Sequence, residues 1–132
     1  MDASELYDPE FRKLIKSKKP TIIIPVGSLE QHGAHLPITT DSDIVTEIAS
    51  RLAKKCNFIV LPTISYGVSY EHAPLTNVNI ADYNLEEILF NIITSLFEMD
   101  PTKETRGKVT SKLSYIILNG HHGNAEALAN LE

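Results

Sequence analysis

Thr21-Ile22-Ile23-Ile24-Pro25-Val26, closed by Gly27, is the stretch on which the fold turns. A β-branched run without polar alternation predicts a strand covered on both faces, as in a parallel sheet held between helices. Upstream, Asp8-Pro9-Glu10 reads as a helix start with proline at the first helical position, and Phe11, Leu14 and Ile15 supply an apolar stripe. The basic stretch Lys16 to Lys19 suits the end of that helix better than a phosphate-binding patch. Downstream, a loop over 27–42 leads to a helix whose apolar side is expected to be Ile44, Ile48, Ala49 and Leu52.

Phe58-Ile59-Val60-Leu61 reads as a second buried strand, ended by Pro62. The stretch from Thr63 to Ala81 is polar, aromatic and irregular, and loops of that size in compact domains are often functional. Asn84 with Glu87 three residues on predicts the capped start of the clearest helix, carrying Leu85, Ile88, Leu89, Ile92, Ile93, Leu96 and Phe97. Asp100 to Lys112 is charged and contains Pro101 and Gly107, which makes it a surface connection, and Leu113 to Leu118 is the third strand.

Strands alternating with helices predict an α/β fold: a three-layer α/β/α arrangement with a mostly parallel sheet, residues 1–132 forming a single domain. Ligands in such folds collect at the carboxyl ends of the strands. The polar clusters obey that rule. Gly27 to His32 follows the first strand, Ser65 to His72 the second, and Asn119-Gly120-His121-His122-Gly123-Asn124 the third.

With 132 residues, 42% of them hydrophobic, the chain can bury one core. Its 17 acidic and 12 basic side chains give a formal charge of -5, which disfavours nucleic acid as a partner. Cys56 is the single cysteine, so no intramolecular disulfide can form. It is expected to be a small buried hydrophobe in a reducing cytoplasm. The acidic opening Met1-Asp2-Ala3-Ser4-Glu5 has no apolar run, and no segment approaches the roughly 18 consecutive apolar residues of a membrane helix. A cytoplasmic protein with no membrane partner is the expectation.

Glu30 and His32 stand two apart directly after a strand, Asp41 closes the same loop, and His121 arrives from another strand end. Carboxylates with imidazoles and no thiolate suit zinc, iron or manganese in an open, hydrolytic site. One or two divalent metals per chain are expected on Glu30, His32, Asp41 and His121. If Asp41 bridges two cations, water between them becomes hydroxide near neutral pH and attacks the substrate, while the metals polarise its carbonyl. Singly, each residue has a plainer reading: a loop histidine is ordinarily solvated or hydrogen-bonded, and Asp41 beside Ser42 can cap the following helix. Together, on neighbouring strand ends, they favour the metal.

Gly27-Ser28-Leu29-Glu30-Gln31-His32-Gly33-Ala34-His35-Leu36-Pro37 followed by Thr40-Asp41 resembles the signature of the creatininase family. Tyr66-Gly67 with Glu71-His72 resembles the family's second block, and Asn119-Gly120-His121 with Gly123-Asn124 its Asn-Gly-His-Gly-Gly-Asn block. The resemblance spans residues 21 to 128. It implies one metal on Glu30, Asp41 and His121, a second on His32 and Asp41, and a three-layer α/β/α fold that assembles into homo-oligomers. It also implies hydrolysis of a non-peptide carbon–nitrogen bond. Family activities include opening of a cyclic amide by creatininase and an archaeal deformylation of a formylamino-pyrimidine ribotide on the route to riboflavin.

Two departures bear on that reading. Creatininase places a glutamate where Gly123 stands, and Leu75-Thr76-Asn77-Val78 replaces the usual Phe-Pro-Gly-Thr. The chain also ends at Leu131-Glu132, about half the usual family length, so the domain is expected to be truncated at its C-terminus. The leading expectation is therefore formylamino-pyrimidine deformylation, a small-molecule reaction. The alternatives are a creatinine-like cyclic amidohydrolase and a catalytically silent metal- or ligand-binding subunit. Glu71 and His72 are candidate catalytic residues, a proton-transfer pair near the metals, and His122 a third that either touches substrate or supports a ligand. Asn124 is expected to cap the last helix and Asn119 to stabilise the turn before it.

Overall fold

Strand β1 (Thr21–Val26) is the centre of a three-stranded parallel sheet ordered β3–β1–β5, where β3 is Ile59–Val60 and β5 is Ser114–Asn119. The computed structural model describes residues 1–18, 20–98 and 113–131. Thr21 pairs with Ser114 and the register runs unbroken to Val26 opposite Asn119. Because successive side chains of a strand point to opposite faces, β1 sends Ile22, Ile24 and Val26 one way and Ile23 the other. All four are buried, so the unalternating sequence reflects a strand with core on both sides.

Helix α2 (Thr40–Cys56) covers the Ile23 face. Its buried stripe is Val45, Ala49 and Ala53, with Ala49 and Ala53 packed among Ile23 and Val60. The expected stripe through Ile44 and Ile48 is thereby corrected: those side chains are 53% and 50% exposed. Both rows have i, i+4 spacing, and side-chain size decides between them. Two alanines let the helix approach the sheet as larger residues would not. Asn57 ends α2 in the left-handed conformation, its N–H returning to the Ala53 carbonyl. Cys56 lies in the solvent-facing last turn and is exposed, not buried as expected.

On the opposite face lie α1 (Asp8–Lys18), α3 (Asp82–Glu98) and α4 (Ala125–Ala129). Ile15, Leu85, Leu89, Ile93, Leu96 and Ala127 pack there with Ile22, Ile24 and Val26. Each buried Leu or Ile contributes about 1.5–3 kcal/mol relative to exposure. Helices on both faces give the expected three layers. Helix α3 begins at Asp82, whose carboxylate accepts the Tyr83 N–H, two residues before the predicted start at Asn84.

The stretch 63–81 is more ordered than its sequence suggests. A 3-10 turn covers Tyr70–His72, and β4 (Asn77–Val78) pairs antiparallel with β2 (Leu29–Glu30), placing Asn77 opposite Glu30. That ladder ties the long loop to the loop after β1. The side chains of Lys16 to Lys19 and Phe97, and the connection Asp100 to Lys112, lie outside the described residues. Among the described residues no helix is long and apolar enough to cross a membrane.

Candidate metal centre

Three loops at the carboxyl ends of β1, β3 and β5 converge on one polar cluster. Glu30 sits on β2, His32 just beyond it, Asp41 in the first turn of α2, and His121 two residues past β5. Asp41 is the hub. Its Oδ2 accepts the Ser28 hydroxyl at 2.7 Å and lies 2.9 Å from His121 Nδ1, while Oδ1 lies 3.1 Å from His32 Nε2. Glu30 Oε1 is 3.3 Å from His121 Nδ1. The four residues expected to hold metal are therefore brought together, drawn from two separate segments of chain.

Asp41 does not cap α2 through its side chain; the N-cap is Thr39, whose hydroxyl is bonded to Asp43. Burial opposes its charged form, yet the Ser28 hydroxyl and the neighbouring imidazoles His32 and His121 hold its carboxyl below the usual carboxylate range. For His32 burial likewise opposes charge, but the bond to the Glu30 carbonyl and the nearby Asp41 and Glu30 carboxylates raise it above its ordinary value.

Main-chain oxygens orient both imidazoles. His32 Nδ1 lies 3.1 Å from the Glu30 carbonyl, and His121 Nε2 lies 2.9 Å from the Val68 carbonyl. A carbonyl only accepts, so these outer nitrogens carry the hydrogens. The inner nitrogens, His32 Nε2 and His121 Nδ1, then present bare lone pairs to carboxylate oxygens. That arrangement repels unless a cation lies between: a proton in the metal-free protein, or a divalent ion. Glu30 supports the same reading, being 5% exposed with an Oε2 that has no hydrogen-bond partner. Such an orphaned carboxylate oxygen, beside two inward-facing imidazoles, fits a divalent metal.

Among the described residues two trios have ligand atoms within 4.8 Å of one another: Glu30 with His32 and Asp41, and Glu30 with Glu71 and His121. Glu71, on the exposed side, places Oε1 3.4 Å from His121 Nε2. His72 places Nε2 3.3 Å from Glu30 Oε1. His122 is exposed on the 3-10 turn His122–Asn124 and belongs to neither trio.

Asn124 stands at the N-cap position of α4 as expected, but its side chain serves as a brace. Wholly buried, it makes no cap bond to α4. Its Oδ1 instead accepts the Val68 N–H at 2.9 Å, and its Nδ2 donates to the Gly27 carbonyl at 3.0 Å and to Asn119 Oδ1 at 3.2 Å. One side chain thus joins the loops after all three strands. Asn119 holds its own turn as expected, donating to the His121 carbonyl and accepting the His121 N–H. Gly123 allows the closure, because a Cβ there would strike the Val68 carbonyl and His121 Nε2. Sequence reasoning missed Ser28, Asn124 and the Val68 carbonyl as parts of the site. The usable signal was that a buried carboxylate and imidazole each require a second partner.

Comparison with known proteins agrees with this geometry. The family model for creatininase, described as creatinine amidohydrolase, matches residues 4–131. The mycofactocin precursor peptide peptidase of Mycolicibacterium smegmatis is 34% identical over 122 residues, covering 87% of this chain and 44% of that relative. A solved structure described as "Creatininase Mn" superimposes with a TM-score of 0.80 at 20% identity, over 98% of this chain and 50% of that one. A Zn-Zn type creatininase mutant gives 0.78 at 21% identity, over 98% and 50%. The chain spans about half the length of the proteins it matches. With almost its whole length matched by the family model and its fold shared with creatininase, the chain belongs to the creatininase family.

Proposed function

We propose that this chain carries the metal-binding part of a hydrolase that cleaves a carbon–nitrogen amide bond. The observation that carries the reading is the pair of inward-facing imidazole nitrogens, His32 Nε2 and His121 Nδ1, set against the Asp41 and Glu30 carboxylates. Glu30, Asp41 and His121 would hold one divalent cation, and His32 with Asp41 a second; zinc, manganese and iron all suit this donor set. Bound there, the cation supplies Lewis acidity, which polarises an amide carbonyl and makes water a usable nucleophile near neutral pH.

The protein's own residues do the rest. Ser28 keeps Asp41 ionised and fixed, the Glu30 and Val68 carbonyls fix the imidazoles, and Asn124 holds the three loops in register. Glu71 and His72 stand on the solvent side of Glu30 and His121, placed to exchange protons with a bound substrate. His122, exposed one residue along the chain from His121, is placed to touch substrate from the rim.

Within this class the specific reading is removal of formate from a formylamino-pyrimidine ribotide. A second reading, cleavage of an amide bond in a peptide, is favoured by the 34% identity to a precursor peptide peptidase. The exposed Ile44 and Ile48, one turn apart on α2, support self-association into a homo-oligomer, and the cytoplasm is its proposed location. The test is metal per chain by plasma mass spectrometry, followed by release of formate or of a peptide fragment from the two substrate classes. Metal and turnover lost together in Asp41→Ala is the expected result. A wild-type chain that takes up no zinc, manganese or iron overturns the hydrolase reading, and metal without turnover favours the silent binding subunit.

A further inference from the structure

The three histidines around Glu30 divide by what their outer nitrogens touch. His32 and His121 rest on main-chain carbonyls, which accept. His72 does not: its Nδ1 lies 3.0 Å from the side-chain nitrogen of Gln31. The orientation of that amide is fixed by a second bond, because the N–H of Gly33, a residue at φ 72°, donates to Gln31 Oε1 at 3.0 Å. With its oxygen committed to a donor, Gln31 turns its NH2 toward His72 and can only donate there. His72 Nδ1 is therefore the acceptor, and the ring hydrogen sits on Nε2, 3.3 Å from Glu30 Oε1.

From this we infer that Gln31 is a positioning residue that sets His72 in the Nε2–H tautomer, so that His72 enters the site as a hydrogen-bond donor and not as a metal ligand. The placement of the ring hydrogen, on the outward nitrogen of His32 and His121 and on the inward nitrogen of His72, thus sorts chemically identical side chains: two offer lone pairs to a cation and one offers a hydrogen. At rest that hydrogen holds Glu30. With its side chain 24% exposed, His72 is also within reach of a ligand, and the group it suits is an oxygen acceptor such as a substrate amide carbonyl. The role toward substrate rests on the hydrolytic reading above, whereas the tautomer does not.

The experiment is long-range proton–nitrogen NMR of the histidine rings in the full chain, metal-free and zinc-loaded, at mildly alkaline pH. His72 is expected to show a protonated Nε2 in both states. In Gln31→Glu the new carboxylate can only accept, so the hydrogen is expected to move to Nδ1 and the two His72 nitrogen signals to exchange ranges. In His72→Gln zinc per chain is expected to be unchanged. A wild-type His72 protonated on Nδ1, a Gln31→Glu chain with the tautomer unmoved, or loss of a zinc equivalent in His72→Gln each overturns the assignment. Absence of zinc from the wild-type chain overturns the hydrolytic reading alone, because the metal-free spectrum still decides the tautomer.

Discussion

The rim above the strands and the packed helix faces below are stabilised by opposite means. On the faces, Leu85 and Leu89 are fully buried by apolar contact while their neighbours Ile88 and Phe90 stand 41% and 62% exposed. At the rim Ser28, Ser69 and Asn124 are equally inaccessible, yet all are polar and hydrogen-bonded. Burial on the helices follows periodicity and side-chain volume. Burial at the rim is tolerated where each polar group meets a partner, and the exception among the described residues, Glu30 Oε2, is where a cation would fit.

The comparison breaks hardest at its hub. Asp41→Ala is expected to abolish cation binding, exceeding the roughly 100-fold cost of losing an outer partner, while thermal unfolding of the metal-free protein stays cooperative. The reverse pattern is expected of Leu89→Ala, which should cost about 2–5 kcal/mol in chemical denaturation yet keep metal per chain unchanged. Phe90→Ala, one residue away, should stay within about 0.5 kcal/mol of wild type. A large effect there would show that α3 is covered in solution. Asn124→Ala joins the two regions: it strips the Val68 N–H and Gly27 carbonyl of a buried partner, at about 1–3 kcal/mol each, and should lower metal affinity about 10-fold or more by loosening His121.

The smallest effect is the pH dependence of the metal-free protein. His32 is raised above 6.5 on folding, so its stabilisation is complete below that value and is lost as pH rises through the higher folded value. Asp41, lowered from 3.8, stabilises above that value and loses its contribution as pH falls further. The destabilisation caused by His32→Ala should therefore be larger near pH 6 than near pH 8. An equal difference at the two values would show that His32 gains nothing from Asp41.

The division explains which parts were legible in the sequence. β1 and β3 could be read because their β-branched runs report two-sided burial, whereas β5, an edge strand with none of its residues fully buried, could be read only from the apolar run Tyr115 to Leu118. Glu30, His32, Asp41 and His121 could be read because strand ends in this architecture meet at one rim. The buried side of α2 could not, since Ile44–Ile48 and Val45–Ala49–Ala53 share a spacing and the choice depends on how closely the sheet approaches. β4 was invisible because a two-residue ladder exists only through its partner β2. Asn124 looked like a cap because local sequence cannot reveal bonds to Gly27 and Val68, far away in the chain.

Those long-range bonds also order events in time. A chain leaves the ribosome amino end first. Glu30, His32 and Asp41 emerge well before His121, and the Asn124–Gly27 bond unites groups 97 residues apart. The pocket is closed only when β5 docks beside β1, so lasting cation capture would be a late event in biogenesis. A nascent chain halted before His121 would hold a partial donor set and surrender its ion to any better chelator nearby.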